Sequence, residues 1–290
     1  MTQPISGKTQ TIGLIGSPIS HSLSPAMQNA AFAELGLDYA YLAFDVGLEQ
    51  AEQAVAAIRT LGLRGCNVTS PLKSVVCSYL DALSPAAELA GAVNVIVNDR
   101  GYLTGHITDG EGYVLSLREE GVSLTDKKVV IVGAGGAATA VAIQMAMEGA
   151  RELVLFNRRD DFFSKAQALT KTLSTRFGCR AALFDVDDLR CLRTELAHAD
   201  LLVNGTTVGM AATQEQSVIP DVSYFHEGLT VSDLIYSPAE TRLLSMAKSQ
   251  GLKTVSGLGM QLYQAVPAFA LWTGHALPVD KVRPIIFANA

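Results

Sequence analysis

Apolar and polar residues alternate in short blocks through the first hundred positions, and each block has its own period. "TIGLIG" (11–16) and "YLAFDV" (41–46) are compact apolar runs that read as strands. Between them, Ser24, Pro25 and an alanine-rich segment predict a helix capped by Ser24, running from Pro25 to about Leu35 and stopped by Gly36. "LEQAEQAVAAIRTLG" (48–62) carries the spacing of an amphipathic helix ending in glycine. "RGCNV" (64–68) reads as the next strand, a helix opens at Pro71, and 92–97 and 101–105 read as paired strands. This βα alternation predicts a mainly parallel sheet covered by helices.

The pattern then restarts. Thr108 and Glu111 form an S/T-x-x-E capping box ahead of a helix that stops at Gly121. A buried strand "VVIV" (129–132) runs straight into "GAGGAA" (133–138), then a helix to about Glu148 and a second strand, 152–156. Strand, glycine turn, helix and strand in this order form a dinucleotide-binding βαβ unit. Gly133 allows the tight turn, Gly135 and Gly136 with Ala137 bring backbone to a pyrophosphate, and Ala138 keeps the helix close to the sheet. The second strand ends in "NRRDD". Asn157 stands 21 residues after Gly136, where an acid would select the NAD ribose, and Arg158 and Arg159 suit the extra phosphate of NADP. Asp160 opposes that phosphate, so the cofactor expectation is NAD preferred, with NADP also accepted.

The 290-residue length accommodates two domains, 49% hydrophobic and 17% charged residues describe a globular chain, and a net charge of −6 argues against a nucleic-acid partner. No apolar run reaches membrane-spanning length, and the N-terminus lacks a signal-peptide pattern. Cys66, Cys77, Cys179 and Cys191 have no metal-ligand spacing and read as reduced thiols, with no metal expected and a cytoplasmic location.

Two stretches hold candidate chemistry. Ser22 and Ser24 stand at a helix start that either is simply capped or seats a small carboxylate. In "NVTSPLK" (67–73), Ser70 and Pro71 predict a cap and first helical residue. Lys73 then falls in the first turn, where the helix dipole opposes a cation by about 0.3–1 kcal/mol and favours the neutral amine needed for proton transfer. The alternative is an ordinary surface lysine. Asp109, at the other strand-to-helix junction, is a second proton-transfer candidate.

"HSLSPAMQNAAF", "NVTSPLK", "AVN", "TDGEG", "GAGGAA", "NRRDDFF", "NGTTVGM", "DLIYSP" and "GLGMQLYQA" together resemble the shikimate dehydrogenase family over nearly the whole chain, and most its quinate/shikimate branch. The resemblance implies an α/β chain with an N-terminal substrate domain (1–107 with 257–290), a Rossmann-type dinucleotide-binding domain (108–256) and a cleft between them. It implies NAD(P)-dependent interconversion of shikimate and 3-dehydroshikimate, with quinate as a further substrate. By resemblance Ser22 and Ser24 hold the substrate carboxylate, Asn67, Thr69, Asn94 and Gln264 hold ring hydroxyls, and Lys73 and Asp109 are the catalytic pair. Thr206, Val208 and Met210 line the nicotinamide side with Gly257 nearby, and a final helix spans about Leu258–Trp272.

Three positions depart from the family pattern: Ile107 where Asn is usual, Gln261 where an apolar residue is usual, and Pro267 inside the last helix. The expected partner is a cyclic polyhydroxy carboxylate, with shikimate favoured over quinate because Thr69 adds a methyl to the pocket. Monomer and homodimer are both open. A dehydrogenase for a related ring such as aminoshikimate, and a non-catalytic NAD(P) sensor, are the competing readings.

Overall fold

The computed structural model describes residues 4–288, which divide into two compact units. One runs to Thr108 and resumes at Gln264; the other is Asp109–Tyr263.

The first unit contains β1 (Gln10–Gly16), α1 (Ser24–Leu35), β2 (Tyr39–Asp45), α2 (Ala51–Thr60), β3 (Gly65–Val68), β4 (Ala82–Leu83), α3 (Pro85–Ala90), β5 (Val95–Asp99) and β6 (Tyr102–His106). Its sheet has the order β2-β1-β3-β5-β6-β4. Only β5 runs against the rest, because it joins β6 by the tight 100–101 turn, with Gly101 at φ 96°. Ile15, Cys66, Val68 and Ile96 pack on one face of the sheet against Val55 and Ile58 of α2. Ile12, Phe32 and Tyr41 form the other face with two later helices, described below.

The second unit contains α4 (Asp109–Glu119), β7 (Lys128–Val132), α5 (Gly136–Met147), β8 (Glu152–Asn157), α6 (Asp161–Phe177), β9 (Arg180–Asp185), α7 (Leu189–Leu196), β10 (Leu201–Asn204), β11 (Thr230–Asp233), α8 (Arg242–Ser249), β12 (Thr254–Val255) and α9 (Gly257–Tyr263). Every strand pair is parallel, in the order β12-β11-β10-β7-β8-β9. The chain walks outward from β7 and then restarts beside it at β10. That reversal opens a crevice at the strand C-termini where ligands of such sheets sit.

The chain returns to the first unit as α10 (Ala265–Thr273) and α11 (Val279–Phe287). The single final helix expected over about Leu258–Trp272 is therefore two helices broken at Gln264. Pro267 has no N–H to bond the Tyr263 carbonyl four residues back, and its ring crowds that carbonyl. On α10, Phe269 stacks on Phe32, and the Trp272 indole donates to the Ile96 carbonyl at 3.0 Å.

Two local expectations change. Helix α1 begins at Ser24 with Leu23 as its cap residue, so Ser24 is not the cap. Leu23 already has helical angles, and its carbonyl accepts from Met27 N–H at 3.0 Å, which carries the helix back by one residue. No α-helix opens at Pro71. The Ser70 carbonyl accepts from Ser17 N–H and the Lys73 carbonyl from Val93 N–H at 2.7 Å, so tertiary partners take the acceptors a helical ladder needs. Residues 70–74 form a turn, followed by a short 3-10 stretch, Val75–Tyr79. Lys73 thus sits in a half-buried turn, and the helix-dipole argument for its neutral form does not apply.

Candidate active site

In the second unit β7 is buried along its whole length and delivers the chain to Gly133. Gly133 has φ 104°, and a Cβ there would lie 2.8 Å from the Gly205 backbone and from Thr206 Cγ2. Its N–H bonds the Phe156 carbonyl at 2.7 Å, which closes the turn. Gly135 is extended and Gly136 starts α5 with no side-chain cap, while a Cβ at either would meet open space. The helix therefore presents uncapped N–H groups and the positive end of its dipole to an unobstructed approach, the geometry a pyrophosphate requires. Ala138 is fully buried, and the Cβ of a residue at 205 would lie 2.7 Å from its methyl, so glycine and alanine together set how close α5 comes to the β10 loop.

A cleft of about 790 Å³ opens at this turn, sized for a large ligand. Gly133, Gly135, Gly136 and Ala137 line one end, and Asn157, Arg158 and Asp160 line another. Thr206, Val208 and Met210 form a further wall. Gly257 does not line it. Its missing Cβ lets α9 pack on the Leu234 and Ile235 carbonyls, 2.4 and 2.5 Å from where that atom would be, and Leu234 and Ile235 do line it.

The end of the cleft at β8 is wired differently from expectation. The Asn157 amide is engaged at both ends: Oδ1 accepts from Ala134 N–H at 3.1 Å, and Nδ2 donates to the Arg158 carbonyl and to Asp160 Oδ1. It ties the glycine turn to the end of β8. Asp160 caps α6 by accepting from Phe162 N–H at 3.0 Å. Arg159 pairs with Asp185 at 2.7 Å and lies over the Phe163 ring, so Arg158 is the arginine that reaches the cleft. Phe162 and Tyr236, which sequence reasoning did not single out, also line it; both lie in motifs read only for their charged or terminal residues.

In the first unit the candidate substrate residues other than Thr69 are linked by hydrogen bonds, Gln264 through its main-chain carbonyl. The Ser22 hydroxyl accepts from Ser24 N–H at 3.3 Å. The Tyr41 hydroxyl donates to Asn67 Oδ1 at 2.6 Å, and Asn67 Nδ2 donates to the Asn94 carbonyl at 2.9 Å. Asn94 Nδ2 donates to Thr108 Oγ1 at 3.0 Å, and that hydroxyl donates to the Gln264 carbonyl at 2.9 Å. Thr108, expected to cap α4, also ties Asn94 to the Gln264 carbonyl. Burial pushes the Tyr41 phenol well above its usual value, and a hydrogen bond from Ser24 opposes this. Tyr41 thus joins the two groups of candidates, although an alternating strand gives no cue to what its hydroxyl does.

The Asn29 side chain bonds both main-chain groups of Tyr41 at 2.9 Å, holding β2 to α1. Thr69 Cγ2 packs over Gly16, 2.3 Å from where a Cβ would stand. Ile107 packs into the core under α2. Asp109 is the buried first residue of α4, where a helix dipole favours an anion.

A parallel sheet of this order, with a glycine turn and an uncapped helix at its reversal point, defines a Rossmann-type dinucleotide-binding domain. Comparison with known proteins narrows the class. Three family descriptions match: shikimate dehydrogenase substrate binding domain over residues 14–96, shikimate / quinate 5-dehydrogenase over 116–223, and shikimate 5'-dehydrogenase C-terminal domain over 257–286. A shikimate dehydrogenase (NADP(+)) of Listeria innocua is 49% identical over 99% of both chains. The shikimate 5-dehydrogenase of Listeria monocytogenes, solved with shikimate and NAD, superposes with a TM-score of 0.95 at 48% identity over 99% of both chains. A quinate dehydrogenase of Corynebacterium glutamicum, solved with NAD, has a TM-score of 0.86 at 33% identity, covering 97% of this chain and 99% of its own. The chain belongs to the shikimate dehydrogenase family and is an oxidoreductase acting on an alcohol group. No helix among the described residues is long and apolar enough to cross a membrane.

Proposed function

We propose that the protein reversibly oxidises shikimate to 3-dehydroshikimate with NAD(P)⁺. The observation that carries this reading is the chain of hydrogen bonds from Tyr41 through Asn67, Asn94 and Thr108 to Gln264, a polar set held in fixed orientation to receive ring hydroxyls. Ser22 and Ser24 bind the carboxylate, and Asn67, Thr69, Asn94 and Gln264 bind the hydroxyls. The bound dinucleotide supplies the hydride acceptor. Lys73 and Asp109 take the hydroxyl proton as the carbon–oxygen double bond forms, and return it in the reverse direction. Shikimate is preferred over quinate, with Thr69, fixed by packing over Gly16, forming the wall that quinate's extra hydroxyl would meet.

Both cofactors serve, with NAD favoured. A strong NADP preference calls for a clamp of cations on the 2′-phosphate. Here Arg159 is paired with Asp185, and the Asp160 carboxylate borders Arg158. The four free cysteines support a cytoplasmic location. The test is a panel of initial-rate assays with shikimate, quinate and aminoshikimate against NAD and NADP. The expected result is highest kcat/KM with shikimate and a cofactor ratio under about a hundredfold, or 2.7 kcal/mol. Highest kcat/KM with another ring overturns the substrate reading. Tight dinucleotide binding without turnover of any of the three replaces it with the sensor.

A further inference from the structure

The 205–208 loop, which carries Thr206 and Val208 into the cleft, owes its shape to a residue outside both the dinucleotide fingerprint and the catalytic pair. Asp233 ends β11, has no solvent exposure, and pairs with no cationic side chain among the described residues. Three donors converge on it instead and make four contacts. Asn204 Nδ2 lies 3.1 Å from both carboxylate oxygens, Ile235 N–H reaches Oδ1 at 2.9 Å, and Thr241 Oγ1 reaches Oδ2 at 2.8 Å. Asn204, also fully buried, passes the order outward. Its Oδ1 accepts from Thr206 N–H at 3.0 Å and from Thr206 Oγ1–H at 2.7 Å, and its Nδ2 also donates to the Val208 carbonyl at 2.9 Å. Thr206 Oγ1 in turn accepts from Val208 N–H at 3.0 Å. On its other side, the Asp233–Ile235 bond bends the chain that supplies Leu234, Ile235 and Tyr236 to the same cleft.

A buried carboxylate without a cation is costly unless hydrogen bonds replace its hydration, and here all the surrounding partners are donors. An anion accepts all of them; a protonated or amide group must turn one donor away. We propose that Asp233 is a positioning residue that holds the β10 and β11 loops in cofactor-binding register, and that it does so only as the anion. The inference rests on the reading of this cleft as the dinucleotide site. Burial raises the Asp233 carboxyl to about 6, with its hydrogen bonds pulling the other way, so the anion is lost just below neutrality. The titratable group facing it is the Tyr113 hydroxyl of α4, itself pushed up by burial and therefore neutral across this range. Asn204, Ser232 and Thr241, the other side chains around it, carry no charge.

The experiment measures dinucleotide Kd and kcat/KM from pH 5 to 9 for the full chain and for Asp233→Asn and Thr241→Val, with circular dichroism at each pH. Wild type is expected to lose dinucleotide affinity below about pH 6. Asp233→Asn should bind about tenfold more weakly at pH 8 and show no acid limb. Thr241→Val removes one donor to the anion and should move the limb up by about one pH unit, a signature that packing damage would not produce. Should Asp233→Asn fail to fold, the Thr241→Val limb decides alone. Wild-type affinity in Asp233→Asn at pH 8, or a limb that stays in place in Thr241→Val, overturns the proposal. Absence of dinucleotide binding by the wild type itself instead overturns the cofactor-site reading on which the proposal stands.

Discussion

Replacing Tyr41 by Phe removes one hydroxyl from the candidate substrate site. The ring stays, and with it the contact to Trp272, whose centroid lies 6.3 Å away. What is lost is the 2.6 Å bond to Asn67 Oδ1, on a residue only 7% exposed, together with the hydrogen bond from Ser24. Asn67 Nδ2 keeps its bond to the Asn94 carbonyl, so the amide is left fastened at one end. A buried acceptor stripped of its donor costs about 1–3 kcal/mol, and the freed energy of no longer burying the phenol hydroxyl offsets part of it. The expected net loss is about 1–2 kcal/mol, a fall in Tm of a few degrees for a chain of this size. Because Asn67 then samples orientations that miss the ring hydroxyl, KM for shikimate should rise about fivefold to tenfold. Lys73 and Asp109 are left intact, so kcat should stay within about twofold. Steady-state kinetics beside thermal melts read both. A lowered Tm with unchanged KM would show that Tyr41 only packs. A collapsed kcat would place it in the chemistry, and either outcome refutes the reasoning.

Lys73→Ala should lower kcat by about 10²–10⁴ with little change in dinucleotide affinity, and Asp109→Asn should share the defect without compounding it; a raised KM with normal kcat would make Lys73 a binding residue only. Gly205→Ala drives a methyl to 2.7 Å from Ala138 and should weaken dinucleotide binding at least tenfold by calorimetry while leaving the first unit's fold intact. Asp160→Asn keeps the α6 cap but removes a charge beside Arg158, so the ratio of kcat/KM for NADP over NAD should rise, and an unchanged ratio removes Asp160 from cofactor choice. Asp233 also sets a pH dependence of stability. Its folded value is raised to about 6, so the folded chain binds this proton more tightly than the unfolded one, and stability is gained as pH falls through that window and lost as it rises from about 4 to 6. The wild type should therefore gain about 2 kcal/mol on Asp233→Asn between pH 6 and 4 in denaturant melts, even as its cofactor loop slackens.

The glycine-turn βαβ unit was legible from residue order because its signals are local. Strand, glycine turn and helix lie within a score of residues, and Gly133 needs only its own φ of 104° to explain it. The same holds for the paired strands β5 and β6, joined by a two-residue turn. The turn at Lys73 was not legible. Ser70-Pro71 has the local chemistry of a helix start, but amides of Ser17 and Val93, 53 and 20 residues distant from the carbonyls they bond, outcompete the helical ladder. Asn157 stood at the position of a ribose-reading residue, yet only the folded β8–α6 corner commits its amide to Ala134 and Asp160. Tyr41, and Asp233 at the head of "DLIYSP", carried no signal of what their polar groups bond. A tyrosine in a compact apolar run looks like core, and an aspartate at a strand end looks like a turn. Side-chain periodicity reports which face of an element is buried, whereas the partner that a buried hydroxyl or carboxylate meets is set by strand order and helix packing across the chain.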